Sequence, residues 1–529
     1  MGLLLAIATE AGTAQIAGPT GQTVVVFPFE NRSRAPGLEW ISESFPELLA
    51  ERLVSPDLYV LTREDRLRAC DRIGIPADVH PSHATIYRVA EQIDADVVIF
   101  GSYTFDGQAF TANAQLLDMR RERLLPQLTE SGPLVQLIEV ETALTWDILR
   151  TLHPNFPVSK EAFTSAAAPI RLDAFENYVR GVTASNPQDQ IRRFREAVRL
   201  NPAYPEALLQ LGKTYYQQRQ YDQAVSTLGK VPQNDPLARE ANFYLGLSSY
   251  YQGDFQRAET AFGFVAARMP LPEVYNNLGV AQSRRNEKSA AEYFQKASET
   301  DPNDADYHFN FAVALYRSGD LAGATKQLRE ALGLRPDDAE AKSLLDNVNT
   351  EATNRIQQRA TTANARVPLE RIRASYGENT FRQLAFKLNE AAEQRLAKTD
   401  PKIHAQYHTD RGQQFMNQGF VSEAEREFRE SIVLAPTNAD AHTGIARVLE
   451  ANNDPAGARA EAEAALRLKP SVEAFLVLAR LDLRDNRIDE AATSVDQALR
   501  LDPNNGRALA LKRAVAAKLA EKAQPLPHP

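Results

Sequence analysis

Residues 205–236 read PEALLQLGKTYYQQRQYDQAVSTLGKVPQNDP, and the register of Leu211-Gly212, Tyr215, Ala224, Leu228, Val231 and Pro236 decides the fold. The next 34 residues repeat it with Leu245-Gly246, Ala258, Phe262, Val265 and Pro270. Closing prolines continue at Pro302 and Pro336, are preceded by Pro202, and return at Pro436, Pro470 and Pro503, which makes eight units. Proline cannot continue a helix, so each unit ends where its proline stands. A fixed period of this length marks stacked helix pairs, each burying its apolar face only against its neighbours.

The residue types within the period carry the packing. Small residues at Gly212, Gly246, Gly279, Ala312, Gly412 and Ala446 let the first helix of a pair approach the second. Ala224, Ala258, Ala290, Ala324, Ala424 and Ala458 do the same from the second helix, and Phe262, Phe294 and Phe428 fill the groove between neighbours. This pattern resembles the tetratricopeptide repeat over roughly two thirds of the chain. The resemblance implies an all-α solenoid in two arrays, 171–349 and 401–522, and a protein-binding role; no His-Glu-x-x-His helix, Gly-x-Ser-x-Gly elbow or calcium loop with proper spacing occurs, so neither catalysis nor a cofactor is expected.

In that family fixed positions of each unit face an inner groove. Carried onto this chain, they are Lys213, Tyr216, Phe243, Leu247, Tyr250, Tyr251, Asn276, Phe309, Val313, Tyr316 and Arg317, with Phe175, Leu209 and Val280 beside them. The surface is aromatic and sparsely charged, and it does not reproduce the Lys and Asn set with which some relatives clamp a terminal carboxylate. A protein or peptide ligand inserting apolar side chains suits it, because tyrosine offers both area and a hydrogen bond. Packing of the same aromatics against adjacent helices or the first domain is the alternative. The second array presents a polar inner face, including Gln406, Thr409, Gln413, Met416, Asn417, Asp440, Thr443, Arg447, Glu450, Glu473, Arg480 and Arg484. Such a face is either solvated or makes salt-sensitive contacts.

Composition narrows the function classes. At 529 residues the chain exceeds a single core. A formal net charge of −9 supplies no general basic field for phosphates, so nucleic acid is not an expected partner. No apolar run is long enough for a transmembrane helix. The lone Cys70 excludes an intramolecular disulfide. Residues 1–22 hold the short apolar run Leu3-Leu4-Leu5-Ala6-Ile7-Ala8, which reads either as the end of an export signal, giving a periplasmic protein, or as a disordered tail of a cytoplasmic one.

Residues 23–152 have a different texture. Val24-Val25-Val26-Phe27, Leu58-Tyr59-Val60-Leu61 and Val97-Val98-Ile99-Phe100 read as strands, and Asp106-Gly107 as a tight turn into an alternating strand over 109–119. Helices over 38–53, 63–73, 84–93 and 134–152 complete an α/β domain. Val26-Phe27-Pro28-Phe29-Glu30-Asn31-Arg32-Ser33, the stretch from Ala95 to Tyr103 and that from Phe110 to Asp118 resemble the amino-terminal domain of the periplasmic TolB protein and its relatives fused to tetratricopeptide repeats. Relatives of this kind are envelope or signalling-associated interaction domains without a known active site, so that resemblance implies docking, with the bacterial cell envelope as the expected setting. A cytoplasmic sensor whose α/β domain binds a small molecule is the rival reading.

Between the arrays, 350–400 reads as a helical linker with an amphipathic helix over 380–398, and 523–529 as a disordered tail. Leu211-Gly212-Lys213-Thr214 imitates the end of a phosphate-binding loop, but Gly212 lies inside a helix whose amides are already bonded. His80 with His83, and His404 with His408, have no acidic or cysteine partner in the sequence to complete a metal site, so they read as surface or packing residues.

Overall fold

The computed structural model describes residues 22–523 except 34, 54–57, 77–81, 155, 157, 168, 270, 357–366, 385, 387–395, 397–398 and 419–420. The expectations for 1–21, His80, Pro270, 524–529 and most of the linker helix fall outside the described residues.

The amino-terminal part is a small mixed sheet between helices. Its strands are β1 (Gln22–Val26), β2 (Glu30–Asn31), β3 (Leu58–Val60), β4 (Val97–Phe105), β5 (Ala109–Asp118), β6 (Arg123–Leu124) and β7 (Leu128–Pro133). Its helices are α1 (Ile41–Arg52), α2 (Arg63–Arg72), α3 (His83–Gln92) and α4 (Leu137–Leu152). β3, β1 and β4 run parallel, β5 is antiparallel to β4, and β7 closes the edge antiparallel to β5. Helices cover both faces, which is why β1 is apolar at consecutive positions: Val24 and Val26 join the core under α1 and α4, while Val25 and Phe27 join the one under α2 and α3. The Asp106 carboxylate accepts the Gln108 and Ala109 amides, both at 2.9 Å, and Gly107 takes φ +100°, which fixes the turn the sequence promised. β7 was not anticipated, because Leu-Thr-Glu-Ser-Gly-Pro reads as a turn and stands as a strand only at a sheet edge.

Helix α5 (Lys160–Ala166) leads into the pairs α6 (Leu172–Thr183) and α7 (Pro187–Leu200), α8 (Pro205–Gln217) and α9 (Tyr221–Leu228), α10 (Ala238–Gln252) and α11 (Phe255–Ala266). The pairs α12 (Pro272–Arg284) and α13 (Ala290–Thr300), then α14 (Ala305–Ser318) and α15 (Leu321–Leu334), finish the first array, capped by α16 (Ala339–Ile356). The second array holds α17 (Pro401–Gln418) with α18 (Val421–Leu434), α19 (Ala439–Ala451) with α20 (Pro455–Leu468), α21 (Val472–Arg484) with α22 (Ile488–Leu501), and the cap α23 (Gly506–Ala523). The described residues thus form the eight pairs that the closing prolines mark.

The small-residue positions sit where the period places them. A Cβ on Gly246 would lie 2.7 Å from the Phe262 ring, one on Gly279 2.8 Å from Phe294, and one on Gly412 2.6 Å from Phe428. Three histidines also serve the pairing, each reaching a residue 19 positions later on the partner helix: His308 to Gln327 at 2.7 Å, His408 to Glu427 at 2.9 Å, and His442 to Glu461 at 2.6 Å. His404 stacks on His408 at 4.8 Å, and no cluster of three metal-ligating side chains occurs among the described residues.

The α/β domain and the first array share one hydrophobic core. Trp40 meets the edge of Phe175 at 6.3 Å, the Tyr178 hydroxyl donates to Glu47 at 2.7 Å, and Arg180 donates to the Gly37 carbonyl at 2.8 Å. Carboxyls gather at this junction. Burial, with Glu51 nearby, lifts Glu206 to about 7. Within the domain Glu141 is fully buried against Ser44 and is pushed up to about 8, so it is held neutral below that pH.

The linker corrects the sequence expectation. Residues 350–356 finish α16 and 378–384 are helical, but 367–377 run extended. Pro368 disfavours helix at its predecessor. The main-chain groups that a helix would have paired find side-chain partners in the first array instead.

Candidate interaction groove

The extended segment 367–377 lies in the concave groove of the first array and runs back along it, from α14 and α16 toward α10. Asparagines on the groove wall read its main chain. The Arg371 amide donates to Asn310 Oδ1 at 2.7 Å, and its carbonyl accepts from Asn310 Nδ2 at 2.7 Å and Asn276 Nδ2 at 2.9 Å. Two residues on, Asn277 repeats the pattern, accepting the Arg373 amide at 2.8 Å and donating to its carbonyl at 2.7 Å. The Gly377 amide donates to Glu273 at 2.6 Å. An extended strand offers alternate residues to one side, so a wall that bonds both groups of residues 371 and 373 fits only that conformation.

Side chains add recognition. Glu370, whose carboxylate is fully buried, pairs with Arg284 at 3.1 Å and with Arg317, and accepts from the Ser283 hydroxyl. The Arg371 guanidinium lies 3.8 Å over the Phe309 ring and pairs with Asp306 at 2.8 Å, Asp338 at 2.6 Å and Glu340 at 2.9 Å. Its bonds hold the Asp338 carboxyl below the usual range. Arg373 pairs with Asp304 and with Asp306, the latter at 3.0 Å. The Tyr376 ring packs 4.9 Å from Phe243. Beyond it, Glu378 pairs with Arg239 at 2.9 Å, the Asn379 carbonyl accepts the Tyr59 hydroxyl at 2.8 Å, and Arg382 pairs with Glu423 of the second array.

The groove residues expected from the repeat register divide into three groups. Asn276, Phe309 and Arg317 touch the segment, and Phe243 receives Tyr376. Leu247 and Val313 are fully buried beneath it, and Tyr250 stands 3.4 Å from Arg284, which holds Glu370. The rest lie aside. Lys213 pairs with Glu240 at 2.7 Å and sits over Tyr244, so that although burial pulls its pKa down, Glu240 and its neighbours hold it up. Tyr216 packs among Tyr221, Tyr244 and Tyr251; Tyr251, 45% exposed, stacks on Tyr221, and Tyr316 reaches toward Glu351. The reading missed Asn277, Asn310, Ser283, Arg284, Asp306 and Asp338. One signal was available, since Asn242, Asn276 and Asn310 recur 34 residues apart.

The second array's inner face is polar and paired with itself. Arg480 forms a two-point bridge to Glu450 with both bonds at 2.6 Å, Arg507 pairs with Glu473 at 2.8 Å, and Arg447 donates to Gln413 at 2.7 Å. Arg484 donates to Asn453 at 3.2 Å, Gln413 to Asn417 at 2.8 Å, and Gln406 to Asp410 at 2.8 Å. Thr409 and Thr443 bond back to carbonyls of their own helices.

Comparison with known proteins agrees with this architecture. Two family models described as tetratricopeptide repeat match, one over residues 182–242 and 283–348 and the other over 243–305 and 409–473. A BBSome complex member, BBS4 of Xenopus tropicalis, is 28% identical over 145 residues, which is 26% of this chain, and the chain spans only 28% of that relative's length. Among solved structures, MamA from Desulfovibrio magneticus RS-1 is 22% identical with a TM-score of 0.30, covering 32% of this chain and 100% of that one. YrrB, described as a TPR protein with an unusual peptide-binding site, is 18% identical with a TM-score of 0.28, covering 39% of this chain and 95% of that one. Such repeats are generally protein-interaction scaffolds, and no described helix is long and apolar enough to cross a membrane. The helix pairs over 182–348 and 409–473 are tetratricopeptide repeats.

Proposed function

We propose that this chain is a non-enzymatic scaffold that recruits proteins by clasping an extended segment in the groove of its first array. One observation carries the reading. Asn276, Asn277 and Asn310 bond the amide and carbonyl groups of alternate residues in an extended strand, which is peptide recognition through the main chain. Residues 367–377 are the resident occupant, and a partner's segment takes the same place when it exchanges with them. The bacterial cell envelope is the proposed setting, supported by the apolar run at 3–8 and the TolB-like motifs of the α/β domain.

The test replaces residues 367–378 with a glycine-serine stretch of equal length and titrates a synthetic peptide of the native 367–378 sequence. Saturable binding that Asn277→Ala weakens is the expected outcome. A variant that keeps the wild-type circular dichroism spectrum yet binds no peptide would make the segment a strut rather than a ligand. For the setting, fractionation of cells carrying the tagged chain should place it with envelope proteins, and recovery with cytosol would refute that part.

A further inference from the structure

Resting on that reading, we infer that the groove selects partner proteins by an extended acid-Arg-x-Arg segment with an aromatic residue three positions after the second arginine. The geometry supplies a site for each element. The acid enters between Arg284 and Arg317, where the Glu370 carboxylate is removed from solvent. The two arginines enter a nest of carboxylates in which Asp306 serves both, pairing with Arg371 at 2.8 Å and Arg373 at 3.0 Å.

Electrostatics give the code its discrimination. Asp304, Asp306, Asp338 and Glu340 crowd one stretch of wall at the N-termini of α14 and α16, where one amide each bonds Asp304 and Asp338, and with the segment gone the cation left in contact with them among the described residues is Arg335, 2.7 Å from Asp306. Guanidinium groups relieve that repulsion and match carboxylates in two-point geometry. Phe309 gives the first guanidinium a ring face at 3.8 Å, which an ammonium would use less well. The aromatic residue then packs on Phe243 as Tyr376 does. The asparagines contribute affinity for any extended chain, so the arginines contribute the choice.

The resident segment competes from within the same chain at an effective concentration on the order of millimolar. A partner therefore binds the intact chain more weakly than a chain whose segment has been released.

Two forms of the full chain test this: one with 367–378 replaced by glycine-serine, and one with Arg371→Gln and Arg373→Gln in the otherwise intact sequence. Each is titrated with the native 367–378 peptide and with a peptide carrying both glutamines. The native peptide should bind both forms. The glutamine peptide should bind about 100-fold more weakly and lose most of its salt dependence. A random peptide library selected on either form should return the acid-Arg-x-Arg and aromatic pattern. Equal binding of the two peptides, or a selected set without paired arginines, overturns the code while leaving main-chain recognition in place. Failure of every peptide strikes the underlying reading instead. Recovery of the wild-type chain as a dimer that exchanges 367–378 between copies would make a second copy the occupant and would also overturn the inference.

Discussion

The two arrays use one repeat to make opposite concave faces. The first is lined with asparagine, aromatic rings and carboxylates, and is filled by the chain's own extended segment. The second is lined with arginine and glutamate that satisfy one another across neighbouring helices, as Arg480 does with Glu450 and Arg507 with Glu473. A long cation that spans to the next helix closes the inner face on itself. The short amides of the first array also reach across, as Asn310 Nδ2 does to Asn276 Oδ1 at 2.7 Å, but their remaining hydrogen-bonding capacity goes to the main chain lying in the groove. The scaffold is set by glycine, alanine and phenylalanine, which both arrays share, and the use of the groove by whether its side chains keep bonds for a main chain, in which they differ.

The largest effect should come from breaking what is shared. Gly246→Leu forces a side chain into the Phe262 ring and should cost about 3 kcal/mol or more, unfolding the first array; Gly412→Leu should do the same to the second through Phe428. Unperturbed circular dichroism melts would refute the register of both.

The next test separates the faces. Asn277→Ala removes both bonds to residue 373 and should weaken docking of the segment by about 2 kcal/mol, seen as protease cleavage within 367–378 roughly 30-fold faster. Gln413→Ala in the second array should change stability by less than about 0.5 kcal/mol and open no new cleavage site.

The junction of the α/β domain and first array should respond to pH. Glu206 titrates near 7 in the folded chain against its ordinary value of 4.5, so the folded form holds its proton longer. Stability from this group is complete below 4.5, declines as pH rises to about 7, and is then lost. Glu206→Gln should accordingly raise the melting temperature at pH 8, by an amount equivalent to about 2 kcal/mol, and leave it unchanged at pH 4.

A small, salt-dependent effect is expected on the second face. Arg480→Ala should cost less than about 1 kcal/mol, and the difference should fade in molar salt, because the bridge to Glu450 is partly exposed.

The period of 34 made the solenoid legible, since Gly246 against Phe262 and Gly412 against Phe428 depend only on spacing and size. The strands β1, β4 and β5 were legible from alternation or β-branched runs. β7 was not, because a polar edge strand ending in Ser-Gly-Pro has the composition of a turn. The groove was half legible. Register found Asn276, Phe309 and Arg317, but it also chose Tyr216 and Tyr251, which pack among other tyrosines. The sequence places 367–377 in a helical linker, because nothing local announces a strand whose hydrogen-bonding partners are side chains 51 to 104 residues earlier.

A stack of repeats couples each pair of helices only to its neighbours, so such a stack frays from its ends. The segment in the first groove touches α10, α12 and α14 and the start of α16 in one pass, adding links between pairs that would otherwise communicate only through the one between them. It closes a loop whose entropic cost grows slowly with length. The third, fourth and fifth pairs therefore gain cooperativity beyond nearest-neighbour stacking and should melt as a unit.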